Sequence, residues 1–156
     1  MNARIVIVDD HEIVREGIRT LLAKMRPEWI IAGEAADGLS AIQMIQKLSP
    51  DIVVLDLTMP GISGFETAAR IRKLGLKSRI LVFTTHDFER LDDEVRQVGA
   101  DGYVLKTQAA RNLVAAIDAL LAGGTFFGAP PEPQRESNQG PNPGIIFRCR
   151  LKISPA

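Results

Sequence analysis

Residues 52–64 read Ile-Val-Val-Leu-Asp-Leu-Thr-Met-Pro-Gly-Ile-Ser-Gly, and this stretch decides the fold. Its first four residues form a continuous apolar run, which is typical of a strand buried on both faces of a parallel sheet. Asp56 ends the run. Pro60 and Gly64 then indicate a tight loop, because proline fixes φ and glycine permits strained angles. The stretch predicts a buried strand with a carboxylate at its carboxyl end.

Apolar runs elsewhere in the chain predict four more strands, with helical segments between them. The runs are Ile5–Val8, Ile80–Phe83, Tyr103–Leu105 and a weaker one at Trp29–Ala32. Between them, apolar residues recur every three or four positions, as from Ile13 to Met25 in the first helical segment. Residues 87–98 carry only three apolar side chains at this spacing, which predicts a weakly held fourth helix. Strands alternating with helices predict an α/β fold with a doubly wound parallel sheet of five strands and five helices.

Polar residues follow four of the predicted strands. Asp9 and Asp10 follow the first strand, Asp56 the third, Thr84 the fourth and Lys106 the fifth. Ligands of open α/β sheets bind outside the carboxyl ends of the strands, so these side chains are expected to share a crevice. Three carboxylates repel one another unless a cation joins them, and an all-oxygen ligand set favours Mg²⁺. A carboxylate beside Mg²⁺ and a lysine is a plausible nucleophile toward a phosphoryl group.

Composition excludes several classes of protein. The 156 residues carry 19 basic and 19 acidic side chains, and this zero net charge argues against broad neutralisation of nucleic-acid phosphates. A single cysteine, Cys149, cannot form an internal disulfide or by itself make a structural zinc site. No apolar stretch approaches the roughly 20 residues of a membrane span, and the N-terminus does not resemble a signal peptide. We therefore expect a cytoplasmic protein with no membrane partner.

Residues 129–156 differ in composition from the rest of the chain. They hold six of the nine prolines, and residues 129–144 contain almost no apolar side chain. Such a segment buries too little surface to offset the entropy of ordering. We expect a single domain at residues 1–128 and a disordered proline-rich tail at 129–156. The apolar and basic stretch Ile145–Leu151 has an alternative interpretation as a docking strand or a membrane-surface patch.

Four motifs together resemble the receiver domain of bacterial two-component response regulators over about residues 3–128. They are Val8-Asp9-Asp10-His11, residues 54–64, Phe83-Thr84-Thr85, and residues 99–106 with the sequence Gly-Ala-Asp-Gly-Tyr-Val-Leu-Lys. The last motif, with Gly123-Gly124-Thr125-Phe126-Phe127, is most similar to the NarL/FixJ subfamily, whose output domain is a LuxR-type helix-turn-helix. The resemblance implies a flavodoxin-like sheet in the order 2-1-3-4-5.

The resemblance also implies roles for the acidic residues. Asp56 matches the phosphoacceptor, which a sensor histidine kinase or a phosphotransfer protein phosphorylates. Asp10 matches the direct Mg²⁺ ligand, together with Asp56 and the backbone carbonyl of Thr58. Asp9 matches the second acidic residue, which acts through water.

Other matched positions belong to the conformational switch. Thr84 matches the switch hydroxyl, and Lys106 matches the lysine that pairs with a phosphoryl oxygen. Tyr103 matches the aromatic residue that turns inward when Thr84 moves, and the output surface is expected on the fourth helix, fifth strand and fifth helix. We also expect the side chains of Thr58 and His86 to tune hydrolysis of the phosphoryl group.

Two questions stay open at the level of sequence. A Mg²⁺-dependent phosphatase of the haloacid dehalogenase type also uses an aspartate nucleophile, although its Asp-x-Asp-x-Thr pattern is incomplete in Asp56-Leu57-Thr58. We favour a signalling module over an enzyme. A homodimer is an expected possibility for its oligomeric state.

The DNA-binding output is the second open question. A LuxR-type output domain needs about 60 residues, a length typical of multi-helix modules. Only 28 residues follow Gly128. We therefore expect no DNA binding from this chain and a parent protein that is a transcription regulator. A truncation, a frameshifted end and a stand-alone receiver with a functional tail are the three explanations, and the composition favours the first two.

Overall fold

The computed structural model describes residues 2–128. The elements in chain order are β1 (Arg4–Val8), α1 (Glu12–Met25), β2 (Ile30–Ala35), α2 (Gly38–Leu48), β3 (Ile52–Leu55), α3 (Gly64–Lys73), β4 (Arg79–Thr84), α4 (Leu91–Gln97), β5 (Gly102–Leu105), α5 (Ala109–Leu121) and β6 (Phe126–Phe127). A single 3-10 turn, Lys106–Gln108, links β5 to α5. The predicted tail at 129–156, with Ile145–Leu151, lies outside the described residues.

The strands form one parallel sheet in the order β2-β1-β3-β4-β5-β6. The predicted α/β class and the order 2-1-3-4-5 are thus confirmed. β1 pairs with β2 on one side and with β3 on the other, so the strand order switches sides of the sheet here. A crevice opens at this switch point, at the carboxyl ends of the strands. The five predicted helices are also present.

The sheet has one more strand than the sequence predicted. Phe126 and Phe127 pair with Gly102 and Tyr103, so that β6 extends the sheet beyond β5. Gly102 makes this pairing possible, because a Cβ at that position would lie 2.1 Å from the carbonyl oxygen of Phe126. The outer edge of β5 is therefore covered by the chain itself.

The apolar core has two halves, one on each face of the sheet. Alternate residues of β1 point to opposite faces, with Val6 and Val8 in one half and Ile5 and Ile7 in the other. Helices α2, α3 and α4 cover the first half, and α1 and α5 cover the second. The central strands are therefore buried on both faces, as their continuous apolar runs predicted.

One helix differs in detail from its predicted pattern, and another follows it. Ile13 was expected on the apolar stripe of α1, yet it is 79% exposed, whereas Ile18 and Leu22 are buried. Ile13 lies in the first turn of α1, next to the carboxyl edge of the sheet and not over its face. Helix α4 has only seven residues and is held by buried Leu91 and Val95, in agreement with its sparse apolar pattern.

Candidate functional site

The carboxyl edge of the sheet brings the predicted strand-end residues together. Asp9 directly follows β1, Asp56 follows β3, and Lys106 follows β5. The Nζ atom of Lys106 lies 2.7 Å from Oδ2 of Asp9 and 3.3 Å from Oδ1 of Asp56. One partly buried ammonium group thus bridges two carboxylates that follow different strands.

Asp56 is held in place by the loop between β3 and α3. The N–H of Gly64 donates to the carbonyl of Leu57, and Ser63 caps α3 by accepting from the N–H of Glu66. A Cβ at position 64 would lie 2.2 Å from the carbonyl oxygen of Asp56. Only glycine permits this close approach, so Gly64 sets how tightly the loop folds against Asp56.

The surroundings of Asp56 favour its protonated form. Burial raises the pKa of Asp56 above its usual 3.8, and the nearby Asp9 carboxylate raises it further. The Lys106 ammonium group and a backbone hydrogen bond from Thr58 lower the pKa in part. The single positive charge of Lys106 therefore does not fully offset the negative charges of Asp9 and Asp56.

Asp10 shows that the pocket fits a divalent cation. Its Oδ1 atom is buried and has no hydrogen-bond partner within residues 2–128. Carboxylate oxygens of Asp9, Asp10 and Asp56 lie with the imidazole of His11 in a group whose ligand atoms are all within 4.8 Å of one another. A hard cation such as Mg²⁺ would satisfy the orphaned oxygen and offset the excess negative charge.

The predicted switch residues lie on neighbouring strands β4 and β5. Thr84 ends β4, is fully buried, and its hydroxyl accepts a hydrogen bond from the N–H of His86. Tyr103, paired with Val82 on the next strand, is 9% exposed. Its ring meets that of Phe127 edge-on, with 6.1 Å between centroids and an interplanar angle of 69°. Thr84 lies at the acidic edge, whereas Tyr103 lies toward α4 and β6.

Burial also affects the phenol of Tyr103. Burial and the neighbouring carboxylates of Asp92 and Asp87 raise the pKa of Tyr103 to about 12 from its usual 10.0. The hydroxyl therefore remains protonated throughout the physiological pH range.

Sequence reasoning missed a pair of residues that supports the acidic edge. The guanidinium of Arg15 donates to the backbone carbonyl of Asp9 and, through Nε, to Oε1 of Glu34 at 2.9 Å. Arg19 also pairs with Glu34. Helical spacing places Arg15 on the polar side of α1, but no local pattern shows that this side faces Glu34 on β2.

A parallel sheet in this order, with three aspartates and a lysine at its carboxyl edge, defines the receiver class of signalling domains. The chain belongs to the response regulator receiver domain family, whose family model matches residues 5–118. The resemblance stated from the sequence motifs is thus confirmed.

Individual relatives are a response regulator protein and a transcriptional regulatory protein. The chain is 37% identical over 121 residues to the nitrate/nitrite response regulator protein NarL of Escherichia coli, covering 78% of this chain and 56% of that protein. It is 34% identical over 124 residues to the transcriptional regulatory protein DegU of Brevibacillus brevis, covering 80% and 52%. The chain therefore spans about half the length of these relatives.

Solved structures show the same fold. A two-component response regulator of the LuxR family from Aurantimonas is 44% identical, with a TM-score of 0.77, and the match covers 81% of this chain and 89% of that one. Across residues 2–128, no helix has the length and apolar character that a membrane crossing requires.

Proposed function

We propose that this receiver accepts a phosphoryl group on Asp56 from the phosphohistidine of a sensor histidine kinase or phosphotransfer protein. The observation that carries the proposal is that Asp9 and Asp56 converge on Lys106 at one edge of the sheet, with Asp10 in the same acidic group. Membership of the receiver family supports it.

The chemistry requires little more than positioning and charge. An oxygen of the Asp56 carboxylate attacks phosphorus, the P–N bond of the donor breaks, and its electron pair passes to the imidazole nitrogen. Lys106 offsets negative charge on a phosphoryl oxygen. Asp10, Asp56 and the carbonyl of Thr58 would hold Mg²⁺, with Asp9 acting through water. The ion, when bound, neutralises further phosphoryl oxygens.

The phosphoryl group is proposed to bias an equilibrium between two conformations. Thr84 lies at the edge where the new charge appears, and its hydroxyl would turn toward a phosphoryl oxygen. The ring of Tyr103, which already packs on Phe127, would then move further inward toward Thr84, and this changes the surface formed by α4, β5 and α5. The side chains of Thr58 and His86 are proposed to set how fast water removes the phosphoryl group.

Labelling with acetyl phosphate and Mg²⁺ tests the proposal. Intact-mass measurement is expected to show one added phosphoryl group on the wild-type chain and none on Asp56→Asn. Asp51→Asn is the matched control, since Asp51 is an exposed aspartate at the opposite end of β3, and it should label normally. Label on Asp56→Asn would refute Asp56 as the acceptor.

The phosphatase alternative is not supported by the comparisons, which match receiver domains. Continuous turnover of phosphoesters by the wild-type chain would revive it and overturn the receiver proposal. The same samples, supplied with a chromogenic phosphoester, provide that measurement.

The relatives' names suggest what the receiver controls. NarL is a response regulator and DegU a transcriptional regulatory protein, and we extend transcription control to the protein that contains this receiver. Residues 2–128 are taken up by the receiver fold, so this part is proposed not to bind DNA. Homodimer formation on phosphorylation is a further proposal, which light scattering before and after labelling would check.

A further inference from the structure

Side chains of α4, β6 and β5 contact one another in series at the covered edge of the sheet. The guanidinium carbon of Arg96, near the end of α4, lies 3.7 Å from the ring centroid of Phe127 on β6. The same Phe127 ring meets Tyr103 of β5 edge-on, at 6.1 Å between centroids. Phe127 therefore touches α4 through Arg96 and the predicted switch aromatic through Tyr103.

The backbone after β6 also closes over Tyr103. Gly128 has a φ of +83° and donates its N–H to the carbonyl of Tyr103 at 3.0 Å. A Cβ at this position would lie 2.6 Å from the phenolic oxygen of Tyr103. From α5, the buried side-chain amide of Asn112 reaches the carbonyl of Gly128 at 3.4 Å. The Tyr103 ring thus packs against residues 127 and 128, so a change in its position must move them too.

Helix α4 depends on contacts with its neighbours for its position. It has seven residues, of which Leu91 and Val95 are buried, and no side chain caps its N-terminus. A helix this short is unstable by itself in water. A cation over an aromatic face is attractive even at an exposed site, and Arg96 is exposed. The contact with Phe127 is therefore one that α4 can make or break without opening the core.

We propose that the Arg96–Phe127 contact is a latch that holds α4 and β6 together in the phosphoryl-free receiver and opposes the change that phosphorylation of Asp56 favours. The inference rests on the proposed function, because it concerns how the same receiver switches. The latch joins α4 to the residues that pack on Tyr103, so a joint movement of Tyr103 and α4 breaks it. By linkage, removing the latch makes the phosphorylated conformation easier to reach.

Binding of beryllofluoride, a phosphoryl analogue, with Mg²⁺ measures this linkage through the amide NMR signal of Thr84. Arg96→Met keeps the aliphatic stem and removes the cation, so it should tighten beryllofluoride binding about two- to fivefold, the size of an exposed cation–π contact. Arg90→Met is the matched control, since Arg90 is an exposed arginine at the N-cap of α4, and it should bind as the wild type does. Unchanged or weaker binding by Arg96→Met overturns the proposal.

A double-mutant cycle shows whether Arg96 acts through the Phe127 ring. In a Phe127→Leu background, Arg96→Met should cause no further tightening, because the ring that receives the cation is already gone. A full two- to fivefold effect in that background would refute the latch.

Hydrogen exchange in the metal-free protein tests the latch independently of phosphorylation. The Gly128 amide should exchange about two to five times faster in Arg96→Met than in the wild type, and at the wild-type rate in Arg90→Met. Equal exchange rates in all three proteins contradict the latch even if beryllofluoride binds. A wild-type chain that takes up neither beryllofluoride nor label from acetyl phosphate would instead refute the proposed function, and the exchange result would still stand.

Discussion

Asp56 shows at the scale of one residue how function and stability oppose each other. It is 4% exposed and shares Lys106 with Asp9. Burial raises its pKa, which means that ionising this carboxyl costs more in the folded state than in the unfolded state. The group that the proposed chemistry needs is therefore one that weakens the metal-free fold at neutral pH.

Asp56→Asn is expected to raise the free energy of unfolding at pH 7, because it removes the cost of ionising a buried carboxyl. Because the folded pKa is raised, the wild type loses stability as pH rises from 3.8 through the folded value. The asparagine variant avoids that loss, so its advantage should fade as pH falls to 3.8. Urea unfolding in EDTA at several pH values measures the difference.

Asp93→Asn is the control for this prediction. Asp93 is an exposed aspartate of α4, and its replacement should change stability little at any pH. If Asp56→Asn were less stable than the wild type at pH 7, the pairing with Lys106 would outweigh the cost of burial.

Tyr103 permits an equally direct residue-scale measurement, since it is the only tyrosine of the chain. Its folded pKa of about 12 lies above the usual 10.0, so stability is lost as pH rises from 10 to 12. Ultraviolet titration of the phenolate should give a midpoint near 12 in the folded protein and near 10 in urea. Asp92→Asn should lower the folded midpoint. A folded midpoint near 10 would show that the ring is not buried as described, with circular dichroism confirming that the fold persists.

Sequence predicts a residue's place well when that place follows directly from a strand. Asp9, Asp56 and Lys106 each come immediately after an apolar run, and parallel pairing then brings them to one edge. The contact between Arg15 and Glu34 depends on how α1 is rotated over β2, which tertiary packing decides. The spacing of residues in the sequence therefore cannot predict how α1 is rotated over β2.

At the scale of elements, this Arg15 contact ties α1 and β2 to the acidic edge. Arg15 donates to the carbonyl of Asp9, which belongs to the peptide that joins Asp9 to Asp10. Arg15→Met should therefore weaken Mg²⁺ binding by about tenfold, the scale of an outer-shell loss. Calorimetric titration measures this, and Arg15→Lys should recover part of the affinity because it retains a cationic donor.

Arg19→Met is the matched control for Arg15. Arg19 also pairs with Glu34, whereas the bond to the Asp9 carbonyl comes from Arg15, so loss of Arg19 should affect Mg²⁺ affinity less. Equal losses in the two variants, or a loss of thermal stability without a change in Mg²⁺ affinity, would mean that Arg15 supports the fold and does not position the acidic pair.

The sixth strand is the element that the sequence did not reveal. A strand is usually recognised from four to eight residues, and β6 has two, placed just after the glycines that end α5. β6 can pair with β5 only because Gly102 has no side chain to clash with Phe126. Gly102→Ala should displace β6 and cost about 1–3 kcal/mol, as overpacking does. The Gly128 amide donates to the backbone carbonyl of Tyr103, and faster hydrogen exchange at this amide would show the displacement.

Gly17→Ala is the comparison for Gly102→Ala. A Cβ at position 17 of α1 meets nothing within 4 Å, so alanine should stabilise this helix by about 0.5–1 kcal/mol. If both alanine variants behaved alike, the close approach of β6 to Gly102 would not be what holds the strand.

At the scale of the whole molecule, both halves of the core depend on the strands that carry the site. Asp9 and Asp56 extend from β1 and β3, whose apolar residues are all buried between the two helical layers. A cation that joins these carboxylates would link adjacent strands of the central sheet. Metal binding should therefore be felt by the global unfolding transition and not only by the loops of the carboxyl edge.

Mg²⁺ is expected to stabilise the native state with a simple dependence on concentration. An ion that binds only the folded chain adds about 2.7 kcal/mol at one hundred times its Kd. The melting temperature should thus rise with the logarithm of Mg²⁺ concentration and return on addition of EDTA. Asp10→Asn, which removes the orphaned carboxylate charge, should flatten that dependence, whereas Asp118→Asn, at a half-exposed ion pair with Arg26, should retain it. If the melting temperature of all three proteins rose with the same slope, Mg²⁺ would not act at the acidic edge. The stabilisation would then come from non-specific ion binding.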